Sequence, residues 1–194
     1  MGILKTKLII VTGSSCSGKT TFVNRIRESI KLNDEIAIPK RYITRPKRLW
    51  DDNLENKHVS HGEFTDLIKN GFINFYWPRK LKSKGDEPEM YGFNIEENKI
   101  NILSANNDCF RFITRNSQQF RHLNNYEYVR FIHIHSDVET RAERINKRSP
   151  DLSDEEVGIR ISDDGIDVYG SADLVIKNVN KYDIRHLINY FENI

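Results

Sequence analysis

The residues best suited to chemistry lie near the start of the chain, where Gly13-Ser14-Ser15-Cys16-Ser17-Gly18-Lys19-Thr20 follows the spacing G-x-x-x-x-G-K-S/T. A loop of this pattern turns tightly at its glycines and aims several backbone N–H groups at phosphate oxygens. Lys19 is placed to bring an ammonium to the β- and γ-phosphates of a nucleotide, and Thr20 to offer a hydroxyl to Mg²⁺. We therefore expect ATP to bind at Gly13, Ser14, Ser15, Cys16, Ser17, Gly18, Lys19, Thr20 and Thr21, with Thr20 as the metal ligand.

A predicted strand and a predicted helix flank this loop. The apolar, β-branched run of residues 8–11 predicts a buried strand, and Phe22, Val23, Ile26 and Ile30 recur at helical spacing. A helix that begins near Lys19 adds its positive dipole end to the phosphate site. This strand–loop–helix order is the context in which the motif indicates a phosphate site.

The rest of the chain alternates predicted strands and helices. Strands are predicted at 7–12, 35–38, 109–113, 129–135 and 174–176, and helices at 19–31, 137–148 and 182–191, with one more begun by the capping box Ser153-x-x-Glu156. This order predicts an α/β fold, a parallel sheet with crossover helices. Residues 40–100, with both tryptophans and long polar runs, are predicted to form an inserted lobe of short strands and loops.

Composition limits the class of protein. The chain has 194 residues, 38% hydrophobic and 30% charged, which is typical of one soluble domain. A net charge of +2 gives no reason to expect a nucleic-acid or membrane partner, and no apolar run approaches the roughly 20 residues of a membrane span. The start lacks a signal-peptide pattern, and Cys16 and Cys109 make no disulfide framework. We expect a cytoplasmic monomer or homodimer.

A second group of charged residues lies in Lys40-Arg41-Tyr42-Ile43-Thr44-Arg45-Pro46-Lys47-Arg48, which has five cations in nine positions. Pro46 and the β-branched residues before it favour an extended backbone, on which Arg45 and Arg48 need not diverge. Two guanidinium groups so placed suit the doubly charged phosphate of an acceptor molecule. A solvated basic loop or a weak nucleic-acid patch is the alternative interpretation.

The order of these motifs along nearly the whole chain resembles the guanylate kinase-like family of P-loop kinases. The matching elements are R-x-x-T-R-x-x-R at 41–48, V-S-x-x-E-F at 59–64, Tyr91-Gly92, and D-x-V-I-x-N at 173–178. The resemblance implies a phosphate-bearing small-molecule acceptor held by Arg41, Arg45, Arg48 and Tyr91, with Asn178 near the adenine of ATP. It also implies that Arg148 and Arg160, on a lid at 137–165, assist Lys19 in catalysis. Residues 1–39 and 101–194 then form the core of a single domain, and 40–100 the acceptor-binding lobe.

The chain departs from guanylate kinases where that family binds guanine. Phe72-Ile73 is followed by Asn74 where guanylate kinases carry Glu, Asn56 stands where they carry Tyr, and residues 110–115 hold no acid. Arg41-Tyr42-Ile43-Thr44-Arg45 instead resembles the ribose 1,5-bisphosphate phosphokinase branch. We therefore expect phosphoryl transfer from ATP to a ribose phosphate such as ribose 1,5-bisphosphate, with a guanylate kinase as the alternative. Lys19 and Thr20 argue against a third possibility, a non-catalytic binding module of the same family.

Overall fold

The structure is a computed structural model. Its described residues form two β-sheets and six helices. The structure describes residues 6–29, 34–48, 51, 53–79, 87–115, 126–163, 165–177, 183–184 and 186–187. In chain order the elements are β1 (Lys7–Thr12), α1 (Lys19–Ser29), β2 (Ile36–Ala37), β3 (Arg41–Ile43), β4 (Asn56–His58), α2 (His61–Lys69), β5 (Phe75–Arg79), β6 (Glu89–Phe93), β7 (Ile100–Ser104), α3 (Asn107–Arg115), β8 (Tyr128–Ile134), α4 (Val138–Arg148), α5 (Asp154–Ile161), α6 (Ile166–Tyr169) and β9 (Leu174–Ile176).

The larger sheet is parallel, with the strand order β2-β7-β1-β8-β9. Its central strand β1 is buried on both faces, and Leu8 to Val11 have no exposed surface. A continuous apolar run is typical of a strand that is covered on both sides. Alternate residues of β1 enter two different core clusters, Ile9 beside Phe22 of α1 and Leu8 beside Cys109 of α3. The expected α/β class is confirmed.

The smaller sheet has the order β4-β3-β6-β5, with β3 and β4 parallel and the other pairs antiparallel. All four strands come from residues 41–93. Its aromatic residues Phe75, Trp77 and Tyr91 lie in the same core cluster as Leu8 and Ile10 of β1. The two sheets therefore share one hydrophobic core.

The close packing around position 92 of β6 explains why this residue is glycine. A Cβ atom there would lie 2.6 Å from Cγ2 of Ile73 and 3.0 Å from Cζ of Phe64. A larger residue would push Phe64 of α2 and Ile73 away from β6, so the glycine that follows Tyr91 is required by close packing.

Several predicted elements agree with the structure. Strand β1, strand β9 and the start of α1 lie where they were expected, and both Ser153/Glu156 and Ser60/Glu63 form complete capping boxes. Asp137 caps α4 by accepting from Thr140 N at 2.7 Å. The helix predicted at 182–191 lies almost entirely outside the described residues.

The strand predicted at 109–113 is wrong, because these residues belong to helix α3. Alternating Phe110 and Phe112 imitate a strand, but the buried residues Cys109, Phe110 and Ile113 recur at helical spacing. The strand in this part of the sheet is β7, which precedes α3 and was not predicted. Like residues 110–115, β7 contains no acidic residue. In the part of the chain described, no helix is long and apolar enough to cross a membrane.

Candidate active site

The loop of residues 13–20 joins β1 to α1, and its backbone conformation explains its glycines. Gly13 has φ +148°, and a Cβ there would lie 2.5 Å from Ile134 O and 2.6 Å from Ser17 Oγ. Gly18 has φ +107°, a conformation that side chains rarely adopt. The loop is closed by a hydrogen bond from Ser17 N to Ser14 O of 3.2 Å. This conformation leaves the loop facing a cleft beside the N-terminus of α1.

Lys19 is the first residue of α1, and its side chain turns back across the loop. Its Nζ donates to Gly13 O at 2.6 Å and to Ser14 O at 2.8 Å. Burial disfavours the charged ammonium and Arg41 repels it, so the pKa of Lys19 falls to about 8. The loop thus holds a cation whose charge changes close to neutral pH.

This pKa predicts how activity depends on pH. Above about pH 8 the free protein loses the Lys19 charge, so kcat/KM for ATP is expected to fall about tenfold per pH unit. The corresponding fall in kcat lies at higher pH, because bound phosphates stabilise the ammonium. Rate profiles measured up to about pH 10 test this, because a lysine with its ordinary pKa near 10.4 would keep its charge over most of that range. In Lys19→Arg the fall should disappear, and a profile of the native protein that stays flat through this range would contradict the assignment.

Thr20 contacts a carboxylate that the sequence analysis missed. Its Oγ1 donates to Glu55 Oε2 at 2.8 Å, and Ser104 Oγ donates to Glu55 Oε1. Burial alone would raise the pKa of Glu55, but Arg41, 4.0 Å away, and these hydroxyls lower it. Because the Thr20 hydrogen points to Glu55, the lone pairs of Thr20 Oγ1 remain available to a cation. Nothing in the spacing of the polar run 51–57 distinguishes Glu55 from its neighbours.

Arg45 is held by a second unpredicted carboxylate, Asp51. Nη1 and Nη2 of Arg45 donate to the two Asp51 oxygens at 2.6 and 2.7 Å, and Arg48 N donates to Asp51 at 2.8 Å. Burial disfavours the charged form of both side chains, but their attraction and hydrogen bonds outweigh it. The pKa of Arg45 is therefore raised, and the pKa of Asp51 is lowered to about 2. Burial and repulsion from Arg45 and Arg160 lower the pKa of Arg48. The ion pair therefore fixes the orientation of Arg45, and Arg48 lines the cleft.

The Arg45–Asp51 pair predicts a stability effect. Their side chains are 8% and 5% exposed, so Asp51→Ala leaves a buried guanidinium without its partner and should cost about 3–5 kcal/mol of unfolding free energy. The contribution of the pair should be complete above the unfolded pKa near 4 and be lost as the pH falls towards 2. Urea denaturation measures both effects. The control is Asp66→Ala, which breaks an exposed pair with Lys69 and should cost less than about 1 kcal/mol. Equal losses in the two variants would contradict this prediction.

Tyr91 lies in a network of charged side chains. Its hydroxyl donates to Glu89 at 2.6 Å, and burial raises its pKa. Arg79 lies 3.6 Å from Glu89 and 3.2 Å from Asp108, at the N-terminus of α3. The guanidinium of Arg41 lies 5.7 Å from the centre of the Tyr91 ring. Arg79, Glu89 and Asp108 are further residues of the cleft that sequence reasoning did not find.

The side chains of Asn74 and Asn56 are both bonded within the protein. Asn74 Nδ2 donates to Ile95 O at 3.1 Å, and Asn74 Oδ1 accepts from Ile95 N at 2.7 Å. Asn56 Oδ1 accepts from Nε and Nη2 of Arg41 at 3.1 and 2.9 Å. Both side chains hold backbone segments and a neighbouring arginine in place.

Two arginines of α4 contact the loop. Arg144 Nη1 donates to Cys16 O at 3.1 Å, and Arg141 Nε donates to Ser15 O at 3.2 Å. Arg148 and Arg160 line the same cleft. Arg141 and Arg144 were not predicted as site residues, and the structure shows both bonded to the loop.

These residues enclose one cleft of about 1380 Å³. Nearly all the predicted site residues line it: Gly13, Ser15, Cys16, Ser17, Gly18, Lys19, Thr20, Thr21, Arg41, Arg45, Arg48, Tyr91, Arg148 and Arg160. Ser14 is buried behind the loop, where its carbonyl accepts from Lys19. Asn178 lies outside the described residues. Three separate parts of the chain thus meet at one cavity.

The charge of the cleft fits an anionic ligand. Among the described residues, ten arginines and lysines and seven acids line it, a net charge of +3, which exceeds the +2 of the whole chain. Ser17 Oγ is buried and has no protein hydrogen-bond partner in the described residues, so it is available to a phosphate oxygen. The Thr20 hydroxyl beside Glu55 supplies oxygen ligands, which Mg²⁺ prefers. The residues present therefore fit a magnesium-bound nucleoside triphosphate.

Comparison with known proteins finds similarity to a curated protein and to a solved structure, although no family model matches the chain. A guanylate kinase of Bdellovibrio bacteriovorus is 35% identical over 71 residues, which are 36% of this chain and 37% of that protein. The match therefore spans little more than a third of the relative's length. The crystal structure of guanylate kinase from Anaplasma phagocytophilum superposes with a TM-score of 0.55 over 100% of this chain and 86% of that chain, at 18% identity. The chain therefore has the P-loop α/β fold that this guanylate kinase structure has.

Proposed function

We propose that the protein transfers the γ-phosphoryl group of ATP to a small molecule that already carries a phosphate. The convergence of Lys19, Arg48 and Arg160 on one cleft carries this proposal. Arg48, which follows β3, and Arg160 of α5 line the same cleft, and burial together with repulsion from Arg45 and Arg160 lowers the pKa of Arg48. Such an arrangement suits a transition state whose negative charge is spread over several phosphate oxygens.

The chemistry follows from the positions of these groups. Lys19 and the loop amides hold the β- and γ-phosphates, while Arg45, Arg48 and Tyr91 orient the acceptor phosphate in line with them. An acceptor phosphate oxygen forms the new bond to the γ-phosphorus as the bond to the β-phosphate oxygen breaks and ADP leaves. That oxygen is already anionic, so no general base is required. Mg²⁺ held at Thr20 would neutralise charge on the phosphates.

For the acceptor we infer a nucleoside monophosphate, with GMP as the first candidate. Both similar proteins are guanylate kinases, and this supports the guanylate kinase alternative better than the ribose 1,5-bisphosphate expectation. One observation favours a ribose phosphate as the second candidate: the side chains of Asn74 and Asn56 are used within the protein. The position that bears the guanine-binding acid in guanylate kinases thus holds a neutral side chain, Asn74, whose amide already bonds Ile95.

An assay of ADP release tests the function. We expect turnover at fixed Mg-ATP with GMP and little with the unphosphorylated nucleoside, because the acceptor phosphate is needed for orientation. Parallel kcat/KM values for AMP, ribose 5-phosphate and ribose 1,5-bisphosphate identify the acceptor. A preference for GMP of about a thousandfold or more indicates intact guanine recognition.

Two other outcomes would change the proposal. A preference for the ribose phosphates over GMP would favour the second candidate. If no phosphorylated acceptor raised ADP release while ATP still stabilised the fold, the protein would be a binding module without catalysis.

A further inference from the structure

Arg141 is a buried cation that the proposed chemistry does not use. It lies on α4 with only 1% of its surface exposed, although its helix is mainly charged. Burying a guanidinium is costly unless its N–H groups are bonded. The hydrogen-bond partners of Arg141 therefore indicate its structural role.

Among the described residues, those partners belong to two separate segments. Nε donates to Ser15 O of the phosphate loop at 3.2 Å, and Nη2 lies 3.0 Å from each of the carbonyl oxygens of Arg160, Ile161 and Asp163. One rigid guanidinium thus joins the loop to the end of α5. Its planar geometry fixes the direction as well as the distance of this link.

The contact also completes the C-terminus of α5. The last carbonyls of a helix have no partner within it. Here Gly158 O accepts from Ser162 N, Ile159 O accepts from Ser162 Oγ, and the remaining two accept from Arg141. A cation at this end also suits the negative pole of the helix dipole.

A second link reaches the same junction. Asn107 Nδ2 donates to Ser14 Oγ at 3.2 Å and to Asp163 Oδ1 at 3.3 Å, and Arg111 pairs with Asp163 at 2.8 Å. By contrast, the first turn of α5, residues 154–156, is exposed. The end of α5 that carries Arg160 is therefore anchored to the loop, whereas its beginning projects into solvent.

We propose that Arg141 is a positioning residue that fixes Arg160 relative to the phosphate loop and acts on phosphoryl transfer through it. This inference rests on the proposed function. Lysine at this position keeps the charge but cannot span both the loop and the helix end. Loss of the link therefore misplaces Arg160 in the cleft without removing a group that contacts the acceptor phosphate.

A double-mutant cycle tests the coupling. Arg141→Lys should lower kcat about tenfold and change the acceptor KM less than about twofold, since misplacement affects mainly the transition state. Added to Arg160→Ala, the same change should lower kcat by less than about a further twofold. Asn107→Ala breaks the second link. Added to Arg160→Ala, it too should lower kcat by less than about a further twofold. Multiplicative effects on kcat for both pairs would overturn the proposal.

Hydrogen exchange tests the link without any substrate. In Arg141→Lys, peptides that cover residues 158–163 should exchange faster, with those from the start of α5 unchanged. Arg144→Lys is the matched control, because Arg144 donates to the loop at Cys16 O but lies on the same helix without a described bond to α5. Unchanged exchange in Arg141→Lys, or an equal increase in the control, would overturn the link. If the native protein shows no turnover, the proposed function fails and exchange still decides the link.

Discussion

Lys19→Ala is expected to lower kcat about a hundredfold or more while the protein stays folded. The ammonium lies over the loop at 2.6 and 2.8 Å from two of its carbonyls, where the transferring phosphoryl group would develop charge. Removing one positioned donor from such a site typically costs 10²–10³-fold in rate, roughly the effect expected here. Steady-state ADP release with the preferred acceptor measures it.

Two controls make the Lys19 result interpretable. Lys69→Ala removes an exposed lysine of α2, 71% exposed, and should leave kcat unchanged. Thermal melting of Lys19→Ala should stay close to that of the native protein, because its buried ammonium bonds only loop carbonyls among the contacts described. A folded Lys19→Ala protein with near-normal turnover would refute the kinase proposal.

Removal of Arg148 or Arg160 should lower kcat by about 10²-fold and raise the acceptor KM much less. Both side chains line the cleft, Arg148 from α4 and Arg160 from α5. They would act on charge that develops during transfer, so their loss appears mainly in kcat. Initial rates over a matrix of ATP and acceptor concentrations separate the two parameters.

Lys147 provides the matched control for these arginines. It is exposed, adjoins Arg148 on α4 and is not among the residues that line the cleft. Lys147→Ala should therefore leave both parameters unchanged. If Arg148→Ala and Arg160→Ala changed only the acceptor KM, the two arginines would belong to the acceptor side instead.

The strand, glycine loop and helix at residues 7–26 were predictable because the information that specifies them is local. The buried run of β1, the glycine spacing and the apolar positions of α1 lie within 20 consecutive residues, 7–26, and each pattern favours the same structure. The capping box of α5 was predictable for the same reason, since Ser153 and Glu156 bond one another. Helix α3 was not, because a short apolar run such as 109–113 has no periodicity that distinguishes strand from helix.

The residues that complete the site were unpredictable for a different reason. Glu55 meets Thr20 across 35 positions of sequence, and Arg141 meets Ser15 across 126. No spacing rule connects such pairs, because only the packing of the lobe and of α4 against the loop brings them together. The pairing of Arg45 with Asp51 is nearer in sequence, but no periodic spacing predicts it.

The core shared by the two sheets has a thermodynamic consequence. Trp77 and Phe93 of the smaller sheet lie in one cluster with Leu8 and Leu103 of the larger. If either sheet unfolded, apolar residues of the other sheet would be exposed to water. The free energies of unfolding of the two sheets are therefore coupled. The molecule should accordingly unfold as a single cooperative unit. Residues 40–100 expressed alone would lack the part of this cluster that β1, β7 and α3 supply, and we expect them not to fold without it.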